Sequence, residues 1–393
     1  MSKNIVICCD GTSNEIKENL SNVLKLFRTL RKSKEQIVFY DPGIGTLSSS
    51  DAWSRLKNRV HQIFGLATGY GLDTNILDSY RFLIENYEEG DRIYMFGFSR
   101  GAYTVRALAG FIRLIGLLEK PQQNLCEYAL IAYKMAAEKG DFEIAYQFER
   151  ITQARHVPIK FIGVWDTVSS VIAPRLSRLY FPRQLTLPYT KTNSLVEVFR
   201  HARAIDERRR MFRLNRWDEP QTFKPNPFDP AEPVFQDIKQ VWFAGDHSDV
   251  GGGYPELQSG LAKYPLAWMI DEAEAHGLLV NTAMVNHLVL GQERRGARRN
   301  YVAPDASAEL HNSLKLGWRV LEWLPKGAKW REWQSRPTIF GYYLPLGEPR
   351  MMSANDLVHH SVFDRMQALP DYLPQNLLPK EQVKVEGLLP LSD

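Results

Sequence analysis

Residues 92–101 read Arg-Ile-Tyr-Met-Phe-Gly-Phe-Ser-Arg-Gly, and no other stretch restricts the fold as tightly. The apolar run Ile93 to Phe96 has the look of a buried strand. It passes through Gly97-Phe98-Ser99-Arg100-Gly101 into Ala102, Val105, Leu108, Ala109, Ile112 and Ile115, which recur at helical spacing. A strand must therefore turn into a helix within a few residues, with Ser99 at the corner. The polar turn Tyr87-Glu88-Glu89-Gly90-Asp91 marks where the strand begins. Such a corner forces the serine into strained dihedrals, and Gly97 and Gly101 lack the Cβ atoms that would clash there. The serine hydroxyl is lifted to the top of a sheet, and the next backbone N–H, that of Arg100, points at whatever the serine meets.

Composition excludes several classes. The net charge of +4 over 393 residues is too small for a nucleic-acid platform, and no basic block with interleaved aromatics is present. The three cysteines, Cys8, Cys9 and Cys126, do not make a disulfide framework. Cys8 and Cys9 are adjacent in an expected strand and face opposite sides, which favours a reducing compartment. No apolar run approaches the ~18 residues needed to cross a bilayer. Met1-Ser2-Lys3-Asn4 leads into an apolar strand with no signal-peptide pattern. The expectation is a protein that is cytoplasmic as synthesised and, if exported, leaves by a route that needs no signal peptide.

Apolar runs at residues 5–9, 36–40, 93–96, 159–164 and 240–244 read as strands, and residues 22–30, 73–87, 102–118, 125–150 and 260–275 read as helices. Residues 73–87 open on Asp73-Thr74-Asn75, a good helix cap. The alternation predicts an α/β fold, a mostly parallel sheet flanked by helices, in one domain over residues 1–393. Insertions are expected at about 120–155, 171–235 and 276–350. The second of these is rich in Pro, Arg and aromatics and reads as irregular. In such sheets the chemistry gathers at the carboxyl ends of the strands. Those ends hold Asp10-Gly11-Thr12, Ser99, Asp166 and the loop Asp246-His247-Ser248-Asp249-Val250-Gly251-Gly252-Gly253.

A serine hydroxyl needs a base, usually a His oriented by a carboxylate. On an elbow of this kind the carboxylate follows the serine and the His comes last. Of nine histidines, His61 and His156 are poorly placed in chain order, and His201, His276, His287 and His311 read as packing or surface residues. His247, His359 and His360 remain. The late stretch around His359 and His360 suits a final catalytic loop, and the two diverge, so at most one can meet Ser99. Asp249, before three glycines, is favoured over Asp166 and Asp246 as the acid on position alone. Asp246, His247 and Asp249 are too compact for a known metal motif, so no metal or other cofactor is expected. Arg100 and Gly11 or Thr12 are the candidate oxyanion donors.

Further segments run in order over nearly the whole chain: Pro42-Gly43-Ile44-Gly45-Thr46, Gly71-Leu72-Asp73, Tyr80-Arg81-Phe82-Leu83, Gly163-Val164-Trp165-Asp166-Thr167-Val168, Asp206-Glu207-Arg208-Arg209, His247 to Tyr254 and His359-His360-Ser361-Val362. With the elbow, they resemble the α/β-hydrolase domain family, formerly of unknown function, that includes the first group of bacterial type VI secretion lipase effectors. The resemblance implies a serine hydrolase cleaving phospholipid acyl esters through an acyl-enzyme. By motif it places Ser99 as nucleophile, Asp249 as acid and His359 as base; Asp166 and His360 stay as the alternates that position in the chain leaves open. A lipid or small ester is the expected substrate, and an immunity or secretion partner is the expectation for an exported member. A soluble-ester hydrolase and a non-catalytic binding protein are the competing readings.

Two stretches combine aromatic and basic residues, 172–189 and 316–333. The second holds Trp318, Leu321, Trp323, Leu324, Trp330 and Trp333 beside Lys326, Lys329 and Arg331. This composition suits peripheral contact with an anionic membrane. Pro325 and Gly327 break any continuous helix, so packing onto the core is the favoured expectation.

Overall fold

The computed structural model describes residues 2–11, 19–43, 71–140, 142–168, 187–226, 232–333 and 336–387, with two short strands at 172–173 and 183–184. Its centre is an eight-stranded sheet. In chain order the strands are β1 (Asn4–Cys9), β2 (Gln36–Asp41), β3 (Arg92–Phe98), β4 (Ile159–Trp165), β5 (Val196–Ala204), β6 (Asp237–Phe243), β7 (Leu357–His359) and β8 (Lys384–Glu386). They lie in the order β8-β7-β6-β5-β4-β3-β1-β2. Every neighbouring pair is parallel.

Helices cover both faces, which is why β1, β3 and β4 are apolar almost throughout. On one face Ile5, Ile7, Cys9, Ile93 and Met95 pack under α2 (Leu72–Asn86), α3 (Arg100–Ile115), α4 (Cys126–Lys139) and α5 (Glu143–Thr152). On the other, Val6, Cys8, Tyr94, Phe96 and Phe98 pack under α1 (Asn22–Thr29), α7 (Gly260–Ala275) and α8 (Thr282–Leu288). The two-residue alternation thus survives in wholly apolar strands, and Cys8 and Cys9 do face opposite sides. The five-residue α6 (His247–Gly251) follows β6, and α9 (Leu316–Glu322) and α10 (His360–Ala368) come later.

The order of the strands places the site. From β1 the chain moves outward to β2, then crosses back to β3 on the other side of β1. A crevice opens at such a reversal, outside the carboxyl ends of the two strands. Gly11 leaves β1 there and Ser99 leaves β3.

The expected strands and helices are present within a few residues, and the architecture is the expected α/β-hydrolase-like one. Two local expectations fail. Helix α2 starts from Gly71 in a left-handed conformation with no side-chain cap. Residues 196–204, expected to be irregular, form the nine-residue β5 in the middle of the sheet. Its polar residues hid it. Arg200 is buried against Asp237 at 2.7 Å and Glu272 at 2.6 Å. Arg203 lies over the Trp242 ring, 3.6 Å from Asp356. His201 accepts from the Thr167 amide at 3.1 Å, as a neutral ring can, and burial holds its pKa far below the usual value.

Candidate active site

Ser99 occupies the corner between β3 and α3 with φ 56° and ψ −116°, a strained backbone for a non-glycine residue. The neighbouring glycines are obligatory here. A Cβ at Gly97 would lie 2.4 Å from the Gly101 carbonyl oxygen, and one at Gly101 would lie 2.1 Å from that of Cys9. The Ser99 amide donates to the Trp165 carbonyl at 3.1 Å, which ties the corner to the end of β4. The hydroxyl is half-buried and lies 2.8 Å from His247 Nε2.

Asp166 follows β4 directly. It is fully buried, in a left-handed conformation (φ 42°), and its Oδ2 lies 2.5 Å from His247 Nδ1. Burial pulls its pKa upward, but the Arg350 guanidinium and the His247 hydrogen bond outweigh that and hold it well below the usual carboxylate range. An ionised carboxylate can only accept, so Nδ1 carries the ring proton and Nε2 is left to accept from Ser99 Oγ–H. Arg350 grips the same carboxylate with both arms, Nη1 to Oδ1 at 2.5 Å and Nη2 to Oδ2 at 2.9 Å, and the Ala204 amide completes the set at 3.0 Å. Asp166 thus has a fixed orientation.

His247 is the first residue of α6, whose N-terminus is capped by Asp246 through the Ser248 and Asp249 amides. Its ring is held between Phe98, with centroids 4.7 Å apart, and the edge of Phe212 at 4.9 Å. Gly251 gives Phe98 its room, since a Cβ there would be 1.9 Å from the Phe98 ring. The segment Asp206-Glu207-Arg208-Arg209 supports the same ring. Glu207 accepts from the His247 amide at 3.3 Å and pairs with Arg209, which lies 3.5 Å over Phe212.

Ser99, Asp166 and His247 are therefore brought together, in the chain order expected of such an elbow. Asp249 is not part of the set. Two positions beyond His247 on the same helix, it points elsewhere. It meets His311 Nδ1 at 2.7 Å and accepts from the amides of Asp246 and His311, each at 3.1 Å. Burial, and next the negative charge of Asp246, push its pKa up to about 8. His359 is also elsewhere. Strand β7 lies four strand spacings from β3, roughly 19 Å. There His359 caps α10, bonds Ser361 Oγ at 2.9 Å and stacks on Phe243 with centroids 4.5 Å apart. Burial, then the charge of His360, pushes its pKa down to about 3. His360 pairs with Asp364 at 2.7 Å on the exposed side of the helix.

Of the oxyanion candidates, Arg100 is the first residue of α3, where a helix N–H has no intrahelical acceptor. Gly11 does lie against the serine: a Cβ there would be 3.5 Å from Ser99 Cβ. Its amide, however, donates to Asp10 Oδ1 at 2.7 Å. Thr12 lies outside the described residues. The Arg100 side chain is half-buried, and burial lowers its pKa to about 10. No grouping of metal-ligating side chains occurs among the described residues.

The later histidines draw the sequence expectation away from His247. Its position directly after a late strand, at the start of an Asp-capped turn, is the signal the sequence does carry for it. Arg350 has none, since it approaches Asp166 from 184 residues away.

A parallel doubly wound sheet with a serine at the β3–α3 corner, facing a His and an Asp, defines an α/β-hydrolase-like protein. The chain belongs to the family described as "T6SS, Phospholipase effector Tle1-like, catalytic domain", which it matches over residues 3–272. It is also 34% identical over 247 residues to the uncharacterized protein YEL023C of Saccharomyces cerevisiae. That match takes in 58% of this chain but 34% of the yeast protein, so the chain spans about a third of that relative. Among solved structures, it is similar to an uncharacterized protein from Pseudomonas aeruginosa (TM-score 0.37, 18% identity, 71% of this chain and 46% of that one). A structure of the Tle1 effector bound to the VgrG spike of the type VI secretion system gives a TM-score of 0.31 at 18% identity, over 66% of this chain and 52% of that one.

Proposed function

We propose that the protein is a serine hydrolase of phospholipid acyl esters, with Ser99 as nucleophile, His247 as general base and Asp166 as the acid that orients it. The reading rests on one observation above all, the continuous chain from Ser99 Oγ to His247 Nε2 at 2.8 Å and from His247 Nδ1 to Asp166 at 2.5 Å. Ser99 Oγ attacks the ester carbonyl carbon, and its proton passes to His247 Nε2. The carbonyl oxygen takes up the negative charge beside the Arg100 amide. Collapse of the tetrahedral intermediate breaks the C–O bond to the alcohol, which leaves with the proton held by His247. Water then attacks the acyl-enzyme by the same route and releases the fatty acid. Asp166, kept anionic by Arg350, stabilises the imidazolium in both halves. Family membership supports a lipid ester as substrate, and the cationic Arg100 next to the nucleophile suits an anionic headgroup.

A fluorophosphonate probe is expected to label Ser99, and Ser99→Ala to abolish both labelling and release of fatty acid from phospholipid. An unlabelled Ser99 in the folded protein rules the mechanism out. Activity on short soluble esters with no rise above the lipid aggregation threshold would remove the lipid part of the reading and keep the rest.

A further inference from the structure

The segment from Lys315 to Leu346 comes after the family-matched region, and several of its large apolar side chains are exposed. Trp323, Leu324, Trp330, Ile339, Phe340 and Tyr342 all present large apolar surface to solvent there, with Trp323 66% and Trp330 56% exposed. The sequence expectation that this stretch packs onto the core holds only in part. Trp318 and Trp333 are half-buried, while the other two tryptophans stand out. An exposed apolar face of this kind marks a binding surface.

The tip of the face is a two-residue hairpin. The amide of Ile339 donates to the Tyr342 carbonyl at 2.8 Å, and the reverse bond is 3.0 Å. Phe340 (φ 50°) and Gly341 (φ 78°) both have positive φ, as a type I′ turn requires. Asn, Asp or Gly normally takes the first of these positions. Here it is a phenylalanine, strained in its backbone and 97% exposed. Neither feature helps the folded chain in water.

Charge selects the occupant. Residues 315–346 hold six lysines and arginines against two glutamates, although half-buried Lys326 is paired with the buried Glu348 at 3.7 Å, which leaves five cations beside the exposed aromatics. One of the two glutamates, Glu322, is buried and bonded to the Arg210 and Gly347 amides. A face this cationic repels a second copy of itself and attracts an anionic surface. Exposed tryptophans, a protruding phenylalanine and surrounding cations together match the headgroup boundary of an anionic bilayer. The face is also joined to the site. Trp318 meets the edge of Phe212 at 5.5 Å, and Phe212 meets His247 at 4.9 Å. Trp333 donates to the carbonyl of Pro349, next to the Arg350 that holds Asp166.

We infer that the 315–346 face is an interfacial docking surface for anionic lipid, with Phe340 inserting as its wedge and the active site held beside the membrane. The proposal takes its use from the lipid-ester reading, but binding is measured without catalysis. Full-length Ser99→Ala protein is mixed with sedimentable vesicles of phosphatidylcholine, with or without phosphatidylglycerol. Binding to the anionic vesicles is expected, with roughly ten-fold weaker partition to the neutral ones and at high salt. Phe340→Asn suits the turn, so melting temperature should hold or rise while vesicle binding falls roughly ten-fold. In the wild-type background the same change should leave hydrolysis of a short soluble ester intact. The proposal is overturned if the protein ignores anionic vesicles or if Phe340→Asn binds them as well as its parent. It is also overturned if that change instead turns a dimer into a monomer in sedimentation velocity. Vesicle binding without any ester hydrolysis would leave this surface standing and remove the catalytic reading.

Discussion

At the residue scale, two buried aspartates near the end of the same sheet have opposite electrostatics. Asp166 is held below the usual carboxylate range, and Asp249 is held above it. Only a carboxylate that stays anionic can stabilise an imidazolium, so the two make a controlled comparison. Asp166→Asn should lower kcat by roughly 10³–10⁴, because an amide no longer enforces the Nδ1–H tautomer. Asp249→Asn keeps the shape of a group already disposed to hold a proton and should leave kcat within a few-fold. His359→Gln should likewise stay active. Equal losses in both aspartate variants, each shown folded by its melting curve, would refute the assignment. Arg350 adds a second test, as a positioning residue. It draws on the same carboxylate charge that His247 uses, so Arg350→Met should move the acidic limb of the kcat/KM profile to higher pH while lowering kcat. Arg350→Lys should restore part of both. The depressed pKa of Asp166 also has a sign for stability. Its contribution is present above the unfolded carboxylate value, near pH 4, and is lost as pH falls below it toward the folded value. Asp166→Asn should therefore show a shallower loss of melting temperature between about pH 4 and pH 2 than the wild type. The sequence put Asp166 and His247 among the candidates but did not pair them. Asp249 and His359 sit in segments that look like catalytic loops, and only the three-dimensional surroundings of each acid, chiefly Arg350 beside Asp166 and burial next to Asp246 for Asp249, distinguish an anionic acid from a protonated one.

At the element scale, the corner at Ser99 was readable because its constraints are local. A strand, a serine and two glycines must succeed one another whatever the rest of the chain does, and α3 shows its period in its own residues. Strand β5 was not readable because its constraints are distant. Arg200 and Arg203 look like surface residues until Asp237, Glu272 and Asp356 are brought to them by the fold. The local case makes a direct prediction. Alanine at Gly101 would put a methyl 2.1 Å from the Cys9 carbonyl oxygen, a backbone atom in a wholly buried strand that has nowhere to move. Gly101→Ala should cost about 2–3 kcal/mol in denaturant titration and lower activity by displacing Ser99. Gly90→Ala gives the control. Its positive φ of 90° disfavours any side chain, but its Cβ meets nothing within 4 Å. It should cost about 1–2 kcal/mol from backbone strain alone and leave kcat unchanged. If the Gly101 variant is the milder of the two, the crowding at the corner is not what fixes the serine.

At the scale of the whole molecule, the family match ends at residue 272, yet the site depends on residues beyond that point. Strands β7 and β8 complete one edge of the sheet, and Val358, Val362 and Val383 cover Trp242 on that side. The same region supplies Arg350 to Asp166 and Asp356 to Arg203, two buried charges that otherwise lack their main partners. Breaking a buried pair by removing one member costs about 3–5 kcal/mol. Two such losses, about 6–10 kcal/mol, are comparable to the roughly 5–15 kcal/mol that holds an ordinary domain together, before any loss of apolar burial is counted. A fragment ending at residue 275 should therefore fail to form a native state, although it contains Ser99, Asp166 and His247. The expected result is little soluble protein, or a soluble form with weak near-ultraviolet circular dichroism and no cooperative melting transition. Replacing Asp166 and Arg203 together by Asn and Met in that fragment removes the stranded charges and should recover part of the soluble yield without recovering activity. A fragment that melts cooperatively and hydrolyses ester would mean that the region after residue 275 is an accessory to the catalytic fold and not part of it.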